Sequence, residues 1–144
     1  MNELNEPVIV EETYKASMDR VWEAITVRDQ MVLWYFDAIE AFEPRVGFET
    51  RFNVRVGERD FPHVWKLTEV REKEKLAYDW RYESYPGRSD VAFELSETPH
   101  GTKLRLTATV TESFPQDIPE FKRESGVAGW EYFIRSSLKN HLEP

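Results

Sequence analysis

The chain has 144 residues, with 19 basic and 27 acidic side chains, a formal net charge of −8 and no cysteine. That length fits one domain spanning 1–144, large enough to bury a core without a disulfide or a metal. The acidic balance argues against a nucleic-acid partner, and the missing thiols exclude disulfide scaffolds, cysteine nucleophiles and thiolate metal sites.

In chain order, residues 1–6 read as a loose acidic tail. Glu3, Glu6, Glu11 and Glu12 leave no basic, apolar leader, so no signal peptide is expected. The apolar runs fall far short of the roughly 20 residues a membrane span needs, and a cytoplasmic protein is expected. Val8 to Tyr14 reads as a short β-branched strand. Ser17 is placed to cap a helix from Met18 to about Val27, with Met18, Val21, Trp22 and Ile25 on one face. Asp29 is placed to cap a second short helix carrying Met31, Leu33 and Trp34.

From there the apolar period changes to two. Phe48, Phe52, Val54 and Val56 alternate with Glu49, Arg51, Asn53 and Arg55, and Gly57 to Asp60 signals a hairpin turn. Phe61, His63, Trp65 and Leu67 share one face, as do Leu76, Tyr78, Trp80 and Tyr82 on the following strand. After Pro86-Gly87 come Val91, Phe93 and Leu95, a turn at Pro99-His100-Gly101, then Leu104, Leu106, Ala108 and Val110. Helical spacing returns at the end, where Val127, Trp130, Ile134, Leu138 and Leu142 form one stripe. Pro115 and Pro119 fix the approach to this helix, expected near 119–142. Gly126 and Gly129 either weaken its first turns or allow close packing.

The order reads as strand, two helices, six strands and a long helix. A single amphipathic helix has only the apolar face of the sheet against which to bury its stripe. The expected fold is therefore α+β: a curved antiparallel sheet wrapped around a long C-terminal helix, the helix-grip arrangement.

Local words carry a resemblance over roughly residues 8–142. Val21-Trp22-Glu23-Ala24-Ile25-Thr26 is similar to the "VWEALT" helix of the activator-of-heat-shock-protein-90-ATPase homologues. Pro44-Arg45-Val46-Gly47-Phe48 resembles that family's "RPGG-F" segment, with Val46 in place of its first glycine. Trp65 to Val70 with Lys75 to Trp80, Ser89 to Leu95 with Gly101 to Leu104, and Gly129-Trp130 with Leu138 match its later words. The resemblance implies membership of the START-like, birch-pollen-allergen-like superfamily, whose members include lipid-transfer domains and polyketide cyclases with a cavity between sheet and helix. It also implies a chaperone contact, although the eukaryotic activator uses a separate N-terminal domain, which is not expected in this chain.

Little in the sequence points to catalysis. There is no Gly-x-Ser-x-Gly elbow and no glycine-rich phosphate loop, and His63, His100 and His141 lack metal-ligand spacing. No catalytic residue, metal or cofactor is assigned. The expected ligand is a small hydrophobic or aromatic molecule, held by Phe48, Phe52, His63, Trp65, Tyr78, Trp80, Tyr82, Phe93, Trp130 and Ile134. Taken singly these residues also suit a packed core, and His63 also suits a core histidine satisfied by a neighbour. Arg123 reads as solvated. Two other functions stay open: a chaperone or stress accessory acting through protein contacts, and a cyclase- or hydrolase-type enzyme with His63 as its inward base.

Overall fold

The computed structural model describes residues 6–144, so all but the last residue of the expected tail lies outside the described range. β1 (Val8–Tyr14) leads into α1 (Met18–Thr26) and α2 (Arg28–Trp34), followed by β2 (Glu49–Val56), β3 (Arg59–Arg71), β4 (Lys75–Tyr82), β5 (Arg88–Thr98) and β6 (Gly101–Glu112). All neighbours pair antiparallel in the order β1-β6-β5-β4-β3-β2. Five strands follow the helices rather than six, because the irregular segment 37–48 adds none.

Ser17 caps α1 by accepting from the Arg20 amide at 3.1 Å, as its position implies. Asp29 does not cap α2. The preceding helix stops at Thr26, so Val27 serves as the junction for both and Asp29 falls inside the first turn of α2.

Alternation along the strands fills the concave face. Phe61, His63, Trp65 and Leu67 of β3 are buried there, as are Ser89, Val91, Phe93 and Leu95 of β5. The opposite face carries exposed charge pairs, such as Arg51 between Glu49 and Glu83 and Arg105 on Glu11. Such pairs contribute little individually. At the β5–β6 turn, Gly101 (φ 151°) permits a close approach, since a Cβ there would stand 2.0 Å from the Tyr14 carbonyl oxygen.

The C-terminal helix begins at Arg123, not near 119. Pro119–Phe121 forms a separate 3-10 turn, and the helix then runs as α3 (Arg123–Glu131), a π-helical segment (Tyr132–Ser137) and α4 (Leu138–Leu142). Its buried residues, Trp130, Ile134, Leu138 and Leu142, recur every four positions. In an ideal α-helix that spacing drifts by about 40° per step. The wider π turn removes the drift and keeps the stripe on the sheet. Within it, the Tyr14 hydroxyl donates to the Ile134 carbonyl at 2.5 Å, tying β1 to the helix.

Among the described residues, the outer edge of β1 has no neighbouring strand, and the same helix covers it. Arg135 and Lys139 donate to the carbonyls of Glu11 and Thr13 at 3.4 and 3.3 Å. Arg123 is not simply solvated, because it donates to the carbonyls of Glu6 and Pro7 at 2.7 and 3.4 Å.

Candidate ligand-binding cavity

The concave face divides into a packed half and an open half. The packed half forms where Tyr35, at the end of α2, inserts its ring between Trp34 (4.6 Å, stacked), Trp65 (5.2 Å) and Phe133 (4.9 Å, edge-on). Its hydroxyl meets that of Tyr78 at 2.5 Å, so two phenols satisfy each other in a dry interior. Burial raises both of their pKa values, so both stay protonated at any ordinary pH. Phe93, Ile134 and Leu138 complete this region. The Trp65 indole N–H has no hydrogen-bond partner among the described residues, and aromatic rings surround it.

The open half is a cavity of about 580 Å³ between the strands and the start of α3. That volume falls within the roughly 300–1,000 Å³ of small-molecule sites. Phe61, Trp80, Val91, Phe114, Phe121 and Trp130 give it an apolar lining. Trp80 and Trp130 meet edge to face at 5.6 Å, forming one wall. Phe114 is positioned by a bare backbone, since a Cβ on Gly87 would stand 2.3 Å from its ring. Gly126 and Gly129 also line the space, and a Cβ on either would meet nothing within 4 Å. Neither glycine serves close packing against a neighbour. Their missing side chains leave room.

The strands turn three polar groups, on His63, Tyr82 and Ser89, toward this apolar space, and Glu6, Gln116, Glu120, Lys122, Arg123 and Ser125 from the covering segments also line it. The Nδ1 of His63 lies 2.7 Å from the Phe61 carbonyl, an acceptor only, so Nδ1 carries the proton. Burial lowers the His63 pKa from 6.5 to about 4, against a smaller opposing effect of that hydrogen bond, so the ring is neutral near pH 7. Its Nε2 is then a bare acceptor. It has no partner among the described residues and is not sealed off, so it opens to the cavity. Phe52 stacks on the imidazole at 4.8 Å and fixes its plane from behind. Tyr82 stands edge-on to His63 at 4.7 Å. Burial raises its pKa, with the Trp80 indole N–H opposing that shift, and the phenol stays protonated. Ser89 presents a hydroxyl that has no partner among the described residues.

Of the ten residues named from the sequence, His63, Trp80, Tyr82 and Trp130 line the cavity. Phe52, Trp65, Tyr78, Phe93 and Ile134 belong to the packed half or back the cavity from behind. Phe48 does not line the cavity; it is partly buried against the core, 6.3 Å from Phe42, with the Arg45 guanidinium over its ring. The sequence reading missed Phe36, Ser89, Phe114, Phe121 and Phe133 as lining residues. Ser89 shares the parity of Val91 and Phe93 and was legible on that ground. The others sit in irregular chain, in the short 3-10 turn or off the helical stripe, where no period marks them. Among the described residues, no group of three or more His, Asp or Glu side chains could hold a metal ion, and no helix is long and apolar enough to cross a membrane.

Comparison with known proteins agrees with this architecture. The family model described as "Activator of Hsp90 ATPase homolog 1-like protein" matches residues 15–143. No curated protein matches. Among solved structures, protein CV1439 from Chromobacterium violaceum is similar over 96% of this chain and 97% of its own, at 17% identity and a TM-score of 0.79. Protein MLL2253 from Mesorhizobium loti is similar over the same shares at 26% identity and a TM-score of 0.74. DynU16, a protein in the dynemicin biosynthetic locus, is similar over 95% of this chain but 47% of its own, at 21% identity and a TM-score of 0.75.

Proposed function

We propose, from the premise that the chain belongs to the Activator of Hsp90 ATPase homolog 1-like family and has a START-like helix-grip fold, that it binds a small apolar or aromatic molecule between sheet and C-terminal helix. The observation that carries this reading is the 580 Å³ cavity, kept open by two helical glycines beside a half that the same strands pack solid. A cytoplasmic setting goes with it.

Binding is favoured over catalysis by the state of the inward groups. A histidine whose pKa sits at about 4 is a weak base for proton abstraction near pH 7. The buried tyrosines, with raised pKa values, are weak acids. A second reading, contact with a partner protein such as a chaperone, draws on Leu33 and Tyr132. These two residues are exposed at 71% and 59% beside a separate 390 Å³ depression.

Nile red, an apolar fluorophore, tests the first reading. It should bind the native protein at one equivalent and raise its melting temperature. At a hundredfold excess over Kd the linkage is about 2.7 kcal/mol. Binding only to an acid-expanded state would favour the protein-contact reading.

A further inference from the structure

The polar groups that the strands contribute to the cavity are few, and the hydrogen-bonding role of His63 is fixed. His63 Nε2 can only accept, because Nδ1 already donates to the Phe61 carbonyl at 2.7 Å. Tyr82 keeps its proton, so its hydroxyl can donate, and the Ser89 hydroxyl can do either. The rings of Tyr82 and Trp80 flank the imidazole at 4.7 and 5.2 Å, and Phe36 lies 5.2 Å away, so this polar corner is enclosed by aromatic surface.

We infer that the molecule this cavity takes is an aromatic bearing a hydroxyl, which donates its hydrogen to His63 Nε2. The inference rests on the cavity being a ligand site and specifies what the site reads. A hydroxyl donates once and accepts from its other side, matching an acceptor beside a donor. A ligand offering only a carbonyl or ether oxygen leaves Nε2 unmatched once water is displaced, and a carboxylate placed at Nε2 sets its charge against the imidazole lone pair. The ring bearing the hydroxyl fits the gap before Gly126 and Gly129, against the wall formed by Trp80 and Trp130. No bond is made or broken.

The test compares three ligands of nearly equal shape, 2-naphthol, 2-methoxynaphthalene and naphthalene. Their dissociation constants are measured by ligand-detected NMR at pH 7, on the wild type and on His63→Phe. The wild type should bind 2-naphthol about tenfold tighter than 2-methoxynaphthalene, the size expected of one matched buried acceptor. In His63→Phe that ratio should fall to about one, while naphthalene still binds. Should His63→Phe fail to fold, the imidazole ¹⁵N spectrum of the wild type replaces it: Nε2 should shift with 2-naphthol and stay put with 2-methoxynaphthalene. Equal wild-type affinities for all three, a preference for 2-naphthol that survives in His63→Phe, or an unmoved Nε2 would overturn the inference and leave the site standing. If none of the three binds, the ligand-site reading itself fails.

Discussion

The two halves of the concave face grow from the same strands with the same alternation, yet one is packed and the other open. Trp65 and His63 are two positions apart on β3, and Tyr78 and Trp80 two apart on β4. What differs is the covering layer. Over Trp65 and Tyr78 lie Tyr35, Ile134 and Leu138, and the buried hydroxyls there satisfy one another. Over His63 and Tyr82 the helix offers Gly126 and Gly129, and the polar atoms face empty space. Strand pattern therefore decides which residues point inward, and the helix decides which of them remain free to meet a ligand.

The sharpest way to break this contrast is to hollow out the packed half. Leu138 is fully buried, and Leu138→Ala should lower stability by about 2–5 kcal/mol in urea unfolding. Its effect on probe affinity per folded molecule should be small. A large loss of affinity at unchanged stability would mean that the halves are not separate.

Acid should act mainly on the open half. His63 has a folded-state pKa of about 4 against 6.5 for the free group, so the unfolded chain takes up this proton first as pH falls. The stabilising contribution of the neutral ring is complete above about pH 6.5 and is lost progressively down to about pH 4. The loss amounts to about 3 kcal/mol. Glu11 and Glu143, whose pKa values are lowered by their basic and backbone partners, lose stability below the ordinary carboxylate range. Subtracting the pH profile of His63→Phe isolates the histidine share. Superimposable profiles would contradict a buried, neutral imidazole.

The phenol pair probes the packed half more gently. Tyr35→Phe or Tyr78→Phe leaves the other hydroxyl buried without a partner, which should cost about 1–3 kcal/mol. The double variant should cost less than the sum of the two, because no orphan remains. Strict additivity in calorimetric unfolding would show that water reaches the pair.

The smallest effect has the opposite sign. Gly126→Ala and Gly129→Ala should each stabilise the helix by up to about 1 kcal/mol, since the new methyl groups enter open space. Both should weaken probe binding by filling the cavity. A drop in melting temperature would instead mark these glycines as packing contacts.

Much of this was legible in the residues. The inward set Phe61, His63, Trp65 and Leu67 followed from alternation, and the stripe from Trp130 to Leu142 from helical spacing. The division of the face was not legible. It depends on Tyr35 and Phe36, just beyond the end of α2, on Phe114 in irregular chain and on Phe121 in a single 3-10 turn, where no periodicity constrains direction. The role of Gly126 and Gly129 was ambiguous for another reason: a missing side chain looks the same in sequence whether it admits a neighbour or leaves a gap.

The five tryptophans report on the two halves separately, because each contributes one indole N–H signal to a ¹H–¹⁵N spectrum. Trp80 and Trp130 line the cavity, whereas Trp22, Trp34 and Trp65 are buried away from it. Titration with naphthalene, each signal being assigned by its Trp→Phe variant, should move the Trp80 and Trp130 resonances saturably at one equivalent and leave the other three in place. Shifts confined to Trp22, Trp34 or Trp65, or none at saturating probe, would contradict a ligand site between the sheet and the C-terminal helix.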